Sequence, residues 1–138
     1  IIKAILDLLS IPNYVIFDKD GEDGRNDEGN MKTNIAIQKL IGVVEPQPSP
    51  AQIIAKDFSI FAPDFRRAIR LEVGESLWDS YRNEIGEELG YDRPSRADKN
   101  PIAIKLLFEK LRASKKDIPD SLKKCLAFIV AKVQEINL

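Results

Sequence analysis

The segment that most constrains the fold is a run of four apolar residues, 14–17, which is followed at once by a polar loop. Such a run, bounded by turn-forming residues, predicts a short strand that is covered on both faces, as in a parallel sheet. The loop carries five carboxylates, at positions 18, 20, 22, 23 and 27. Ligands of open parallel sheets bind at the carboxyl ends of strands, so this loop is the predicted functional end of the sheet.

The spacing of apolar residues and of helix-breaking residues predicts the other elements. Predicted helices cover residues 1–9, 31–40 (capped by Asn30 and ended by Gly42), 63–73 (beginning at Pro63), 76–89, 101–113 and a last segment capped by Asp120 or Ser121. A second strand is expected at 58–62, an extended proline-rich segment at 43–50 and a polar loop at 91–100. The order predicts an α/β fold with a C-terminal helical extension.

Composition restricts the chemistry that is available to the chain. Its 138 residues match one ordinary domain, and 21 basic against 22 acidic residues give a net charge of −1. Bulk positive charge therefore cannot drive binding to nucleic acid, and any such binding must be local. Histidine is absent and Cys125 is the only cysteine. This excludes disulfides within the chain, Cys/His zinc sites and histidine-based catalytic triads, and leaves carboxylates, Lys, Arg, Ser and Tyr.

The sequence also indicates a cellular compartment for the protein and whether the chain is a fragment. No apolar run reaches the roughly 18–20 residues of a membrane span, and no signal-peptide pattern opens the chain, so we expect a cytoplasmic protein. The chain begins inside an already periodic apolar stretch, without an initiator methionine or a helix cap. We therefore expect it to be a fragment with residues missing upstream.

Asp18 and Asp20 are the strongest candidates for a site. Residues two apart in an extended segment point the same way, so both carboxylates can offer oxygen ligands to one Mg²⁺ or Mn²⁺ ion. The alternative is a solvated loop in which these residues only form turns. An EF-hand does not fit, because its glycine must follow five residues after Asp18, where Asp23 stands. "VIFDKDGE" resembles the haloacid-dehalogenase phosphatase motif D-x-D-G-T except for Glu22, and there Asp18 would be the nucleophile.

The wider context resembles a different family. A helix, a strand ending in "FDKDG", a polar loop, a helix ending "IQKLIGV", a strand reading "FSIFAPDF" and a later "ADKNP" are similar to the Toprim domain of OLD-family (overcoming lysogenisation defect) nucleases. The resemblance extends from about residue 1 to about residue 112. It implies a Toprim-like parallel sheet flanked by helices, with a core at 1–74 and a helical extension at 75–138 packed on the same core.

The resemblance also implies roles for individual residues. Asp18 and Asp20 match the D-x-D metal ligands, and Asp64 falls where the family places a further carboxylate. Lys99 resembles the lysine that such nucleases place near the scissile phosphate. We add Glu22 as a candidate ligand from its position in the loop. Near Asp64, Arg66 occupies a place where a glutamate is often found. Two departures stand out: the family's first acidic motif has no counterpart before residue 1, and the ATPase domain that usually precedes the nuclease is absent from the sequence.

The expected activity is divalent-metal-dependent endonucleolytic hydrolysis of DNA phosphodiester bonds. Two Mg²⁺ or Mn²⁺ ions would activate a water molecule and stabilise the leaving oxygen in the complete protein. Arg66, Arg67 and Lys99 are the predicted contacts to the DNA backbone. The expected partners are DNA, an ATPase domain in the same full-length chain and a second copy of the chain bound through the missing part, but no membrane. A non-catalytic Toprim-like interaction module and the phosphatase are the alternatives.

Overall fold

The computed structural model describes residues 2–19 and 27–136, and these form a helix-rich α/β structure. Six α-helices lie within the described residues: α1 (Ile2–Leu8), α2 (Asp27–Leu40), α3 (Phe65–Val73), α4 (Glu75–Glu88), α5 (Pro101–Ala113) and α6 (Asp120–Ile136). A 3₁₀ helix (Pro94–Lys99) precedes α5. Three short strands, β1 (Val15–Asp18), β2 (Ile53–Ile54) and β3 (Phe58–Phe61), form one sheet. The predicted α/β class is confirmed.

The chain divides into two compact units. The first comprises Ile1–Ala68 with Lys123–Leu138, and the second comprises Ile69–Leu122. All three strands belong to the first unit, whereas α4, the 3₁₀ helix and α5 belong to the second. Compactness does not test which segments fold independently, so the predicted division at residue 74 stays a prediction. No helix among the described residues is both long enough and apolar enough to cross a membrane.

The sheet is mixed, with β3 in the middle. β1 pairs parallel with β3 and β2 pairs antiparallel with it, so that Asp18 lies opposite Phe61 at the ends of the two parallel strands. β3 is the buried strand, since Ile60 and Phe61 have no exposed surface. The predicted burial of both faces of the first strand is wrong: β1 is an edge strand among the described residues and Ile16 is 45% exposed. A continuous apolar run does not by itself show whether both faces are covered.

Polar side chains hold the first unit together at two places. The Tyr14 hydroxyl donates to the Ala55 carbonyl oxygen at 2.8 Å and lies 2.6 Å from Oγ of the fully buried Ser59. Burial raises the pKa of Tyr14, and the hydrogen bond with Ser59 acts in the opposite direction. The side-chain amide of Gln38, 1% exposed, donates to the Gln47 carbonyl oxygen and accepts from the Gln47 N–H. These bonds fix the proline-rich segment against α2 by satisfying backbone groups that no sheet or helix pairs.

The boundaries of the helices in the first unit differ from the predicted ones. α2 begins at Asp27, four residues before the predicted start at 31. It ends at Leu40 as expected, and Gly42, two residues further on, has a positive φ of 82° that favours glycine. α3 begins at Phe65 rather than at Pro63, because Asp64 receives the first helical N–H groups.

The second unit contains a helix that the sequence does not predict. The segment predicted as a polar loop at 91–100 forms a 3₁₀ helix that packs on α4. Gly86 of α4 makes this approach possible: a Cβ at that position would lie 2.7 Å from Cα of Pro94. Trp78 of α4 and Phe108 of α5 meet edge to face, with ring centroids 6.4 Å apart. Glycine therefore permits a helix-to-helix contact that any side chain would obstruct.

Candidate functional site

Asp18 lies at the carboxyl end of β1, as the sequence predicts. The strand pairing continues one residue beyond it, because the Lys19 N–H donates to the Phe61 carbonyl oxygen at 2.9 Å. Asp18 Oδ1 accepts a hydrogen bond from the Phe65 N–H at 2.8 Å. The side chain thus reaches from the end of β1 to the start of α3, across 47 residues of sequence.

Asp64 sits at the start of the same helix. Its Oδ1 accepts from the Arg67 N–H at 2.8 Å, and its Oδ2 lies 3.5 Å from Nε of Arg67. This is the hydrogen bond of a helix N-cap, which satisfies one of the backbone donors that the first turn leaves unpaired. The helix dipole also favours negative charge at this end. Asp18 and Asp64, both predicted as ligands through the family resemblance, therefore both accept N–H groups at the N-terminus of α3.

A cavity of about 450 Å³ opens beside Asp18 in the first unit. One wall comes from α2, where Asn30, Thr33, Asn34 and Ile37 recur at the i, i+3, i+4 and i+7 positions of a helix face. The other lining residues are Ile16, Phe17, Asp18 and Phe65. The cavity therefore combines an apolar floor with carboxylate, amide and hydroxyl oxygens.

The α2 residues of this cavity are not evident from the sequence. The sequence predicts Asn30 as a helix cap and does not distinguish Thr33 or Asn34 as site residues. The signal that could have identified these residues is their spacing along one face of α2. This spacing can be recognised only when the helix is known to begin at Asp27. Asn34 is 3% exposed and its amide donates to the Pro48 carbonyl oxygen at 3.0 Å.

The structure does not place the other two predicted metal ligands. Asp20 and Glu22 lie outside the described residues. Within 2–19 and 27–136, no three or more histidine, cysteine or acidic side chains form a group that could hold a metal ion. The described part of the site thus contributes two carboxylates, Asp18 and Asp64.

The predicted cationic residues fall in different units. Arg66 and Arg67 are exposed on the first turn of α3, beside Asp64, in the first unit. Lys99 belongs to the second unit and ends the 3₁₀ helix. It lines a shallow depression together with Arg96, which was not predicted as a site residue. Arg66 and Arg67 are therefore neighbours of Asp64 in the first unit, and Lys99 is a neighbour of Arg96 in the second unit.

Comparison with protein-family models, with curated proteins and with solved structures finds no match for this chain. The resemblance to OLD-family Toprim domains stays a hypothesis that stands on the quoted motifs.

Proposed function

We propose that the first unit binds a divalent cation at Asp18 and Asp64 and that the chain is a metal-dependent nuclease domain that hydrolyses DNA phosphodiester bonds. One observation carries the proposal: Asp18, at the carboxyl end of β1, and Asp64, three residues after β3, each accept a backbone N–H from the first turn of α3. Ligand sites of α/β folds occur at this end of the strands. The cavity beside Asp18 offers room for a phosphate group and its neighbours.

The chemistry of the donor set fits Mg²⁺ or Mn²⁺. Both ions prefer oxygen ligands, and an ionised carboxylate has two acceptor oxygens with about four lone-pair sites. Asp18 Oδ1 and Asp64 Oδ1 each accept a neutral backbone N–H, so both carboxylates keep the negative charge that attracts a cation. A bound cation would offset the repulsion between the two negative charges. When bound, such an ion supplies an activated water molecule at neutral pH.

The chain's own residues would hold the substrate. Arg66 and Arg67 place positive charge on the exposed first turn of α3, where a phosphodiester approaching the carboxylates would lie. The Asn30 and Thr33 side chains on the α2 wall provide neutral hydrogen-bonding groups beside Asp18. A larger OLD-like protein with an ATPase domain is the context in which we propose that this domain works.

The experiment must separate the capping role of the two aspartates from metal binding. Asp18→Asn and Asp64→Asn keep an oxygen that accepts the backbone N–H, and asparagine caps helices as well as aspartate does. Each removes the negative charge that a cation requires. Nicking of supercoiled plasmid DNA is measured with Mg²⁺, with Mn²⁺ and with EDTA.

We expect nicking by the unmodified chain with either metal, none with EDTA, and a loss of at least about 100-fold in the double variant. The matched control is Glu45→Gln with Glu87→Gln, which also removes two exposed carboxylates but lies elsewhere. It should nick DNA like the unmodified chain. Absence of nicking by the unmodified chain contradicts the proposal. So does hydrolysis of a small phosphomonoester with DNA left intact, which would favour the phosphatase.

A further inference from the structure

The 3₁₀ helix of the second unit arranges three cations in a line. Arg93 is the residue that caps this helix, and Arg96 and Lys99 follow at intervals of three. A 3₁₀ helix has three residues per turn, so residues three apart project from the same side. All three side chains are exposed. We call this set, Arg93, Arg96 and Lys99, the cationic row.

The other two sides of the 3₁₀ helix explain why the cationic row faces outward. Pro94 and Ala97 form the side that packs inward: Pro94 contacts α4 at Gly86, and Ala97 is 1% exposed. Asp98 falls on the remaining side, about 120° away. It lies near Arg70 and helps to raise the pKa of that guanidinium, after the larger effect of Asp79. Part of the charge of Asp98 therefore acts on Arg70, which lies outside the row.

The cationic row lacks partners within the described part of the chain. No hydrogen bond or ion pair engages the side chains of its three residues there. Two less exposed basic residues of the second unit are paired instead: Arg70 pairs with Asp79 at 2.6 Å, and Lys110 pairs with two glutamates. A chain with a net charge of −1 therefore keeps three neighbouring positive charges uncompensated on one side of one short helix.

A shallow depression of about 570 Å³ lies along two members of the row, Arg96 and Lys99, and is completed by Tyr91, Asn100 and Pro101. Asn100 fixes its geometry: the side-chain amide donates to the Tyr91 hydroxyl, and Oδ1 accepts the Ile102 N–H at the start of α5. The tyrosine side chain is thereby held beside the cations.

We propose that the cationic row binds the sugar–phosphate backbone of a single nucleic-acid strand, with Tyr91 beside it as a surface for a base. Successive members of the row are about 6 Å apart along the helix axis, because each residue of a 3₁₀ helix advances about 2 Å. Successive phosphates of one strand follow each other at a comparable separation. A positively charged groove with an aromatic side chain is the usual architecture of single-strand binding. The inference extends the predicted contact of Lys99 to Arg93 and Arg96 and requires no metal.

The test is the salt dependence of binding to a fluorescein-labelled oligothymidylate, measured by fluorescence anisotropy in EDTA. The variant replaces all three members of the cationic row with glutamine. Each phosphate contact of a single strand contributes about −0.7 to the slope of log K against log salt concentration. Loss of three contacts should therefore make the slope less steep by about 2, which corresponds to about 100-fold weaker binding at about 0.1 M salt than for the unmodified chain.

The matched control replaces three other exposed or partly exposed cations of the second unit, Lys105→Gln, Arg112→Gln and Lys116→Gln. It changes the net charge equally but leaves the row intact, so its slope should stay close to that of the unmodified chain. Urea denaturation followed by the fluorescence of Trp78 establishes that both triple variants are folded. A single Arg96→Gln variant should lower the slope by about one third as much.

Three results would overturn the proposal: equal slopes for the row variant and the control, no binding by the unmodified chain, or equally tight binding of an acidic polypeptide such as polyglutamate. The last would assign the row to acidic proteins rather than to nucleic acid. Because EDTA is present throughout, the outcome is independent of the proposed metal site. Failure of the nuclease proposal with retained binding, or the reverse, can thus be distinguished.

Discussion

Addition of one methyl group at Gly86 should destabilise the second unit, although alanine is the better helix former. The new Cβ would lie 2.7 Å from Cα and 2.9 Å from Cβ of Pro94. Carbon atoms in ordinary contact are about 3.5–4.0 Å apart, so the 3₁₀ helix must move away by about 1 Å. Overpacking of this kind costs about 1–3 kcal/mol, and the nearest atom belongs to the backbone, which favours the upper part of that range. Alanine recovers about 1 kcal/mol of helix propensity. We expect a net loss of about 1–2 kcal/mol.

The chain provides its own assay for Gly86→Ala. Trp78 is the only tryptophan, lies in the same helix and is 2% exposed, so its fluorescence reports unfolding of the second unit in urea. Ser80→Ala, at an exposed position of α4, is the control and should be as stable as the unmodified chain or slightly more stable. If Gly86→Ala proves at least as stable as the unmodified chain, the described packing of the 3₁₀ helix on α4 is refuted.

Two further predictions concern the first unit. Tyr14→Phe should lower the free energy of unfolding by about 1–3 kcal/mol in urea titrations, because the buried Ser59 hydroxyl loses its partner, whereas Tyr81→Phe should have little effect. The hydrogen bond from Lys132 to Asp57 raises the pKa of Lys132 above its ordinary value of 10.5, and the charge of Glu135 adds a smaller effect in the same direction. Because the pKa of Lys132 is higher in the folded state than in the unfolded state, the charged lysine stabilises the fold fully below the unfolded-state pKa. This stabilisation is lost as the pH rises through the folded-state pKa. The urea midpoint should therefore fall above about pH 10.5, and the fall should be smaller in Lys132→Gln. An unchanged pH profile in Lys132→Gln would contradict this assignment.

The sequence sufficed for features that depend on local chemistry. The apolar run at 14–17 predicts β1, and the position of Asp18 at its end follows directly. Pro101 predicts the start of α5, and in the structure the side chain of Asn100 caps that helix. These signals involve neighbouring residues only, so no knowledge of tertiary packing is needed.

Features that depend on contacts between distant segments could not be predicted from local sequence patterns. β2 has two residues and pairs only with β3, so it has no periodic pattern to detect. The 3₁₀ helix at 94–99 depends on Gly86, and a polar segment with proline reads as a loop without that contact. The meeting of Asp18 and Asp64 at α3 likewise arises from tertiary folding, and the sequence predicted it only through the resemblance to a family.

Calorimetric titration of Mn²⁺ into the chain measures whether Asp18 and Asp64 bind a divalent cation. The unmodified chain, the Asp18→Asn, Asp64→Asn double variant and the Glu45→Gln, Glu87→Gln control are compared after thermal denaturation has shown that all three are folded. We expect saturable binding by the unmodified chain and the control, and its loss in the double variant. Identical titration curves for all three proteins would show that the two aspartates only cap α3 and form no cation site.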